Sequence, residues 1–146
     1  MKVMILLASM LLAASTITVG QAKGTTHEWA GVWEITDPSK PGGMVTLADD
    51  SGSLQGTITF NVKDRDTGKR IAIEVRSLVN PHIEGDAVVF QVRGILKPHL
   101  QGETDTDTAA DTELAKMKLE PAGAGKASMV CANCGNTAPI AMAKEQ

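Results

Sequence analysis

From Ala30 onward apolar and polar residues alternate with period two, and clusters of turn residues break the alternation about every ten positions. The clearest run is Thr57-Ile58-Thr59-Phe60-Asn61-Val62. Ile71, Ile73 and Val75 alternate with Ala72, Glu74 and Arg76, and Val88, Phe90 and Val92 with Val89, Gln91 and Arg93. Met117 and Leu119 alternate with Lys116, Lys118 and Glu120. Successive side chains of a strand point to opposite faces, so each run predicts a ribbon with one buried face and one wet face. Between the runs stand Asp49-Asp50-Ser51-Gly52-Ser53, Asp64 to Lys69, Glu84-Gly85-Asp86 and Pro121 to Gly125. Glycine there permits positive φ, and Asp can hydrogen-bond its own backbone.

Strands are expected over 31–36, 43–48, 54–63, 69–78, 86–95, 113–120, 126–131 and 138–143. No segment after Ala30 sustains a 3.6-residue apolar stripe. The pattern predicts an all-β chain, an antiparallel meander of about eight strands closed into a barrel, with a two-layer β-sandwich as the alternative. Asn80-Pro81-His82-Ile83-Glu84-Gly85-Asp86 reads as a turn between two strands. Residues 97–111 are polar, acidic and threonine-rich with almost nothing to bury, and are expected to form a mobile loop at one end of the barrel.

The first residues change the picture of where this domain works. Lys2 precedes an apolar run from Val3 to Ala14, and Gly20-Gln21-Ala22 has the small-x-small shape read by a signal peptidase. That run is about a dozen residues, short of the roughly 20 that span a bilayer. Residues 1–22 are therefore expected to be a signal peptide, and 23–146 a single exported domain, periplasmic or extracellular. The leader contains Lys2 and no acidic residue, so the mature part sets 13 basic against 17 acidic residues, a net charge of −4. Nucleic-acid binding needs clustered Lys and Arg and is not expected. No later segment is apolar enough to span a membrane.

Trp29-Ala30-Gly31-Val32-Trp33 opens the first strand. Gly31-x-Trp33 resembles the Gly-x-Trp that begins the first strand of lipocalins and related calycin barrels. The resemblance implies a tryptophan packed across the closed end of the barrel and a small apolar ligand admitted at the other. The chain departs from that family in lacking its Thr-Asp-Tyr motif, and it has no tyrosine. Trp29, Gly31, Trp33, Pro81, His82, Gly85, Cys131, Cys134 and Gly135 are also similar to the pattern of small secreted bacterial proteins of unassigned function. That second resemblance implies no activity.

Cys131 and Cys134, in the stretch CANCG, are the two cysteines of the chain. Neighbouring thiols outside the cytoplasm oxidise, so a structural disulfide is expected. A thioredoxin-like role would need a helix start at the first cysteine and a preceding βαβ pattern, and the sequence offers neither. Zinc needs further ligands, of which His82 is the candidate, giving Cys131, Cys134 and His82 as an alternative metal set. His82 beside Glu84 and Asp86 could act as an acid or base, against a plainer role capping turn backbone. His99 falls in the expected loop. Asp105, Asp107, Asp111 and Glu113 do not fit a calcium loop, because Ala110 and Lys116 stand where glycine and glutamate are required. No nucleophile elbow, phosphate loop or zinc-protease helix is present.

Three functions follow from these residues. The leading one is an exported, lipocalin-like binding module for a small apolar molecule, with Trp33, Ile58, Phe60, Ile73, Val88, Phe90 and Met117 as the interior candidates. The second is a structural or protein-interaction domain with a filled core. The third is a metal- or thiol-dependent enzyme using the cysteine pair. No cofactor is expected, and nothing in the sequence positively supports catalysis.

Overall fold

The computed structural model describes residues 24–64, 66–94 and 113–146. The expected leader and the acidic segment with His99 lie outside the described residues. One helical turn, α1 (Thr26–Trp29), precedes the sheet. Its capping box is complete: Thr25 Oγ1 accepts from the Glu28 N–H at 3.3 Å, and the Glu28 carboxylate accepts from the Thr25 N–H at 3.0 Å.

Among the described residues nine antiparallel strands follow: β1 (Gly31–Ile35), β2 (Gly43–Asp50), β3 (Ser53–Lys63), β4 (Arg70–Ser77), β5 (Val79–Glu84), β6 (Ala87–Arg93), β7 (Leu114–Pro121), β8 (Lys126–Cys131) and β9 (Ile140–Lys144). They form one sheet in the order β4-β3-β2-β1-β9-β8-β7-β6-β5. The expected all-β meander is what forms, rolled into a nearly closed barrel. β4 and β5 are the two edges of this sheet, yet only Leu78 separates them in sequence. The Leu78 N–H donates to the Gly56 carbonyl at 2.9 Å, and Leu78 is buried. One bent run of chain thus leaves β3 and joins β6, carrying the sheet from one edge to the other. A Cβ at Gly56 would overlap the Thr46 carbonyl oxygen, so glycine is required where β2 and β3 crowd beneath this bend.

The closed end carries α1 and the turns at 51–52, 85–86 and 122–125. The mouth carries the connections 36–42 and 132–139 and the strand ends at Lys63, Arg70, Arg93 and Leu114. Between them the inner face is apolar in cross-strand layers. Trp33, Val45 and Ile58 form one, Val88, Leu119 and Met129 another, and Phe90, Met117 and Cys131 a third. Among the described residues no polar or charged side chain is buried.

Two sequence expectations are corrected. The turn expected at 80–86 is a strand for most of its length, β5, with a bulge where Asn80 takes φ 50° before Pro81. That geometry confines proline to an edge strand, where its missing N–H costs no ladder bond. The second correction concerns β4. Ile71, Ile73 and Val75 face outward and are 51%, 54% and 56% exposed. A register shift at Val62/Lys63 sets Ala72 opposite Val62, Glu74 opposite Phe60 and Arg76 opposite Ile58, so these three side chains face inward. A one-residue slip inverts a strand's faces. Ile73 is therefore removed from the interior set.

Candidate functional site

The closed end is plugged by indoles. Trp33 donates its Nε1–H to the Trp29 carbonyl at 2.9 Å, and Trp29 donates to the Asp86 carbonyl at 3.2 Å. The ring centroids stand 5.0 Å apart. Lys144 Nζ lies 5.7 Å from the Trp33 ring centroid and donates to the Glu28 carbonyl at 2.8 Å. This joins the C-terminal strand to α1 over the aromatic face. Gly31, at φ 131°, leaves room for the Lys144 side chain, whose Cε a Cβ would meet at 2.7 Å. The 400 Å³ depression beside Trp29 and Trp33 is lined largely by turn residues outside the barrel.

The mouth is different in kind. A cavity of about 320 Å³ is lined by Phe60, Met117, Met129, Cys131, Cys134, Thr137, Ala138 and Ile140. Phe60, Met117, Met129 and Cys131 are inner-face residues of β3, β7 and β8, and Ile140 opens β9 opposite Met129. The layer beyond Phe60 stays uncovered because β4 places Ala72 and Glu74 there instead of its isoleucines. The Glu74 carboxylate pairs with Arg76 at 3.1 Å, with both side chains about a third exposed.

Cys131 and Cys134 are at disulfide distance, with Cα atoms 5.5 Å apart. The connection they close is anchored to β7 by Asn133. Its Oδ1 accepts from the Lys116 N–H at 2.7 Å and its Nδ2 donates to the Leu114 carbonyl at 2.9 Å. The Ala132 N–H adds a bond to the Lys116 carbonyl at 2.8 Å. The stretch CANCG is thus a staple whose sulfurs form one wall of the cavity. Replacing both cysteines with serine is expected to lower the unfolding free energy by about 2 kcal/mol, the loop-closure value for four residues. Urea denaturation of the two proteins measures it.

The sequence candidates separate into groups. Phe60 and Met117 line the cavity. Phe90, directly opposite Met117 in the same cross-strand layer, is fully buried beside it, and Ile58 and Val88 lie deeper in the packed core. Trp33 belongs to the closed end. Met129 and Ile140 were missed as cavity residues; only the pairing of β8 with β9 sets them opposite one another.

His82 does not join the cysteines. It sits on β5, three strand positions of ~4.8 Å from β8, opposite the outward Val89. Both ring nitrogens face acceptors, the Asn80 carbonyl 2.8 Å from Nδ1 and the Glu84 carboxylate 3.0 Å from Nε2, so the protonated ring, with an N–H on each nitrogen, donates to both. The alternative metal set Cys131, Cys134 and His82 is therefore not assembled, and among the described residues no group of three His, Cys, Asp or Glu side chains is placed to hold a metal. The bulge carbonyl of Asn80 first, then Glu84, raises the His82 pKa above its ordinary 6.5. A raised folded-state value stabilises the barrel fully below the unfolded value and ceases to do so as pH climbs through the folded one. The wild type should therefore lose a few tenths of a kcal/mol relative to His82→Gln between about pH 6 and 8, a small effect because the pair is half exposed. Denaturant midpoints of both proteins across that range test it.

No family model matches the chain, and no curated protein or solved structure is significantly similar to it. Among the described residues no helix is long and apolar enough to cross a membrane.

Proposed function

We propose that the chain is an exported binding module that takes one small, neutral, apolar molecule into the barrel mouth. The observation that carries this reading is the 320 Å³ cavity walled by Phe60, two methionines, Ile140 and the Cys131–Cys134 bridge. Pockets for small ligands begin at about 300 Å³. An occupant of this one would meet sulfur and hydrocarbon on most sides. Among the described residues no buried polar group waits to orient a polar ligand, so selection would rest on shape and burial. Methionine adapts its shape to irregular ligands, which suits a site selecting a class of molecule. The leader-like N-terminal sequence and the oxidised cysteine pair support export. The Gly31-x-Trp33 opening, with Trp33 packed at the end opposite the cavity, is consistent with a lipocalin-like arrangement.

The test is a fluorescence titration with an uncharged naphthylamine dye, comparing the mature protein with Ile140→Trp, which sets an indole in the mouth. Saturable one-to-one binding, weakened about tenfold or more in the variant, is expected. Absence of saturable binding, or equal affinity in a folded variant, contradicts the reading.

A further inference from the structure

We propose that, once a dithiol has reduced the Cys131–Cys134 bridge, the mouth cavity binds one copper(I) ion through four sulfurs, the thiolates of Cys131 and Cys134 and the thioethers of Met117 and Met129. All four residues line the same 320 Å³ cavity. Strand register brings three of them together. Met117 stands directly opposite Cys131 across β7 and β8, and Met129 precedes Cys131 by two positions on the same inner face of β8. Side chains so related start about 5 and 7 Å apart. Methionine is long and flexible enough to bring its sulfur to a common point from there. Cys134 completes the set from the connection after β8, its Cα 5.5 Å from that of Cys131. Both cysteines are half-buried against the core, so a reductant and an ion reach them from the open side.

The donor set selects the metal. Thiolate and thioether are soft ligands, and copper(I) takes both. Zinc favours thiolate with imidazole or carboxylate, and copper(II) a square-planar set of nitrogen and oxygen. Among the described residues neither a histidine nor a carboxylate lines the cavity, and the Thr137 hydroxyl is the one side-chain oxygen that does. The chemistry conserves electrons and protons. A dithiol gives two electrons and two protons to the bridge and is itself oxidised to a disulfide. The two cysteine thiols so formed release their protons to solvent as the ion binds. Opening the bridge does not release the loop, because Asn133 still accepts from the Lys116 N–H and donates to the Leu114 carbonyl. The sulfurs therefore stay beside the thioethers. In the oxidised protein the bridge offers no thiolate, so redox state switches this site. It is separate from the apolar-ligand reading, whose tests use the oxidised protein.

Anaerobic titration of the mature protein with copper(I) held by bicinchoninate, before and after reduction with dithiothreitol and its removal, tests this. The reduced protein should take one equivalent from the competitor and release two protons, and the oxidised protein should take none. X-ray absorption at the copper edge should show a shell of sulfur alone. Met117→Leu and Met129→Leu conserve volume and fold, and each should weaken copper(I) binding at least about tenfold, the lower bound for losing even an outer-shell partner of a metal. Zinc binding to the same reduced variants should be unchanged, because zinc does not use the thioethers. A reduced protein that takes no copper(I), or a nitrogen or oxygen shell around the metal, overturns the proposal. Affinity unchanged in both leucine variants overturns it too, since the site would then be a bare dithiolate. An equal loss for zinc does the same, since the substitutions would then be disturbing the cysteines.

Discussion

Replacing Phe90 with alanine should lower the unfolding free energy by roughly 3–5 kcal/mol, the range for removing a buried aromatic ring. Phe90 is fully buried on β6, opposite Met117 and between Val88 and Val92 along the strand. Strands on a barrel wall are held by their neighbours on both sides, so the space left by the ring cannot collapse fully. The void would lie directly beside Met117, which lines the mouth cavity. The variant should therefore be less stable yet accept a larger apolar probe, and recover more stability than the wild type when that probe is present, since ligand binding to the native state raises its stability. Urea unfolding with and without a bicyclic aromatic hydrocarbon measures both effects. A loss under about 1 kcal/mol would mean that the ring does not hold the wall as described.

Trp33→Ala should be comparably costly, again roughly 3–5 kcal/mol, for a different reason. The substitution removes a buried indole, strips the Trp29 carbonyl of its 2.9 Å hydrogen bond, and takes the aromatic face from under Lys144. The closed end would then lose the link between α1, β1 and β9. Because this end lies opposite the mouth, binding in the cavity should persist under conditions where the variant remains folded. Thermal unfolding combined with dye titration separates the two outcomes. Trp33→Phe, which restores the ring but not the N–H, should recover more than half of the loss.

The alternation along the chain located most strands within a residue or two, because the period-two pattern and the glycine turns act locally. The strand that escaped, β5, is short and carries Asn80, Pro81 and a following Gly85, each a turn residue elsewhere. Its extended conformation is imposed by pairing with β6 and by the His82 bridge between Asn80 and Glu84. The inversion of β4 has a similar origin. Alternation divides Ile71, Ile73 and Val75 from Ala72, Glu74 and Arg76, but does not say which set faces the core. That is decided by the register across the bulge at Val62/Lys63, a non-local fact. The same limit applies to the site. Phe60 and Met117 were accessible as inner-face residues and CANCG as a staple, whereas their convergence with Met129 and Ile140 depends on barrel closure. His82 carried the right residue types for chemistry, and only its placement outside the wall, with both nitrogens engaged, assigns it to holding the bulge.

The central claim is that the mouth cavity binds a small apolar molecule, and the methionine methyl groups report on it directly. In a 13C-methyl NMR titration of the mature protein with toluene, Met117 and Met129, which line the cavity, should shift in a saturable manner. Met142, buried at the level of Ile35 and Ala127, and Met44, near the β2 start, should stay in place. Methyl signals that all remain fixed, or that move equally at all four positions, would contradict a ligand site in the barrel mouth.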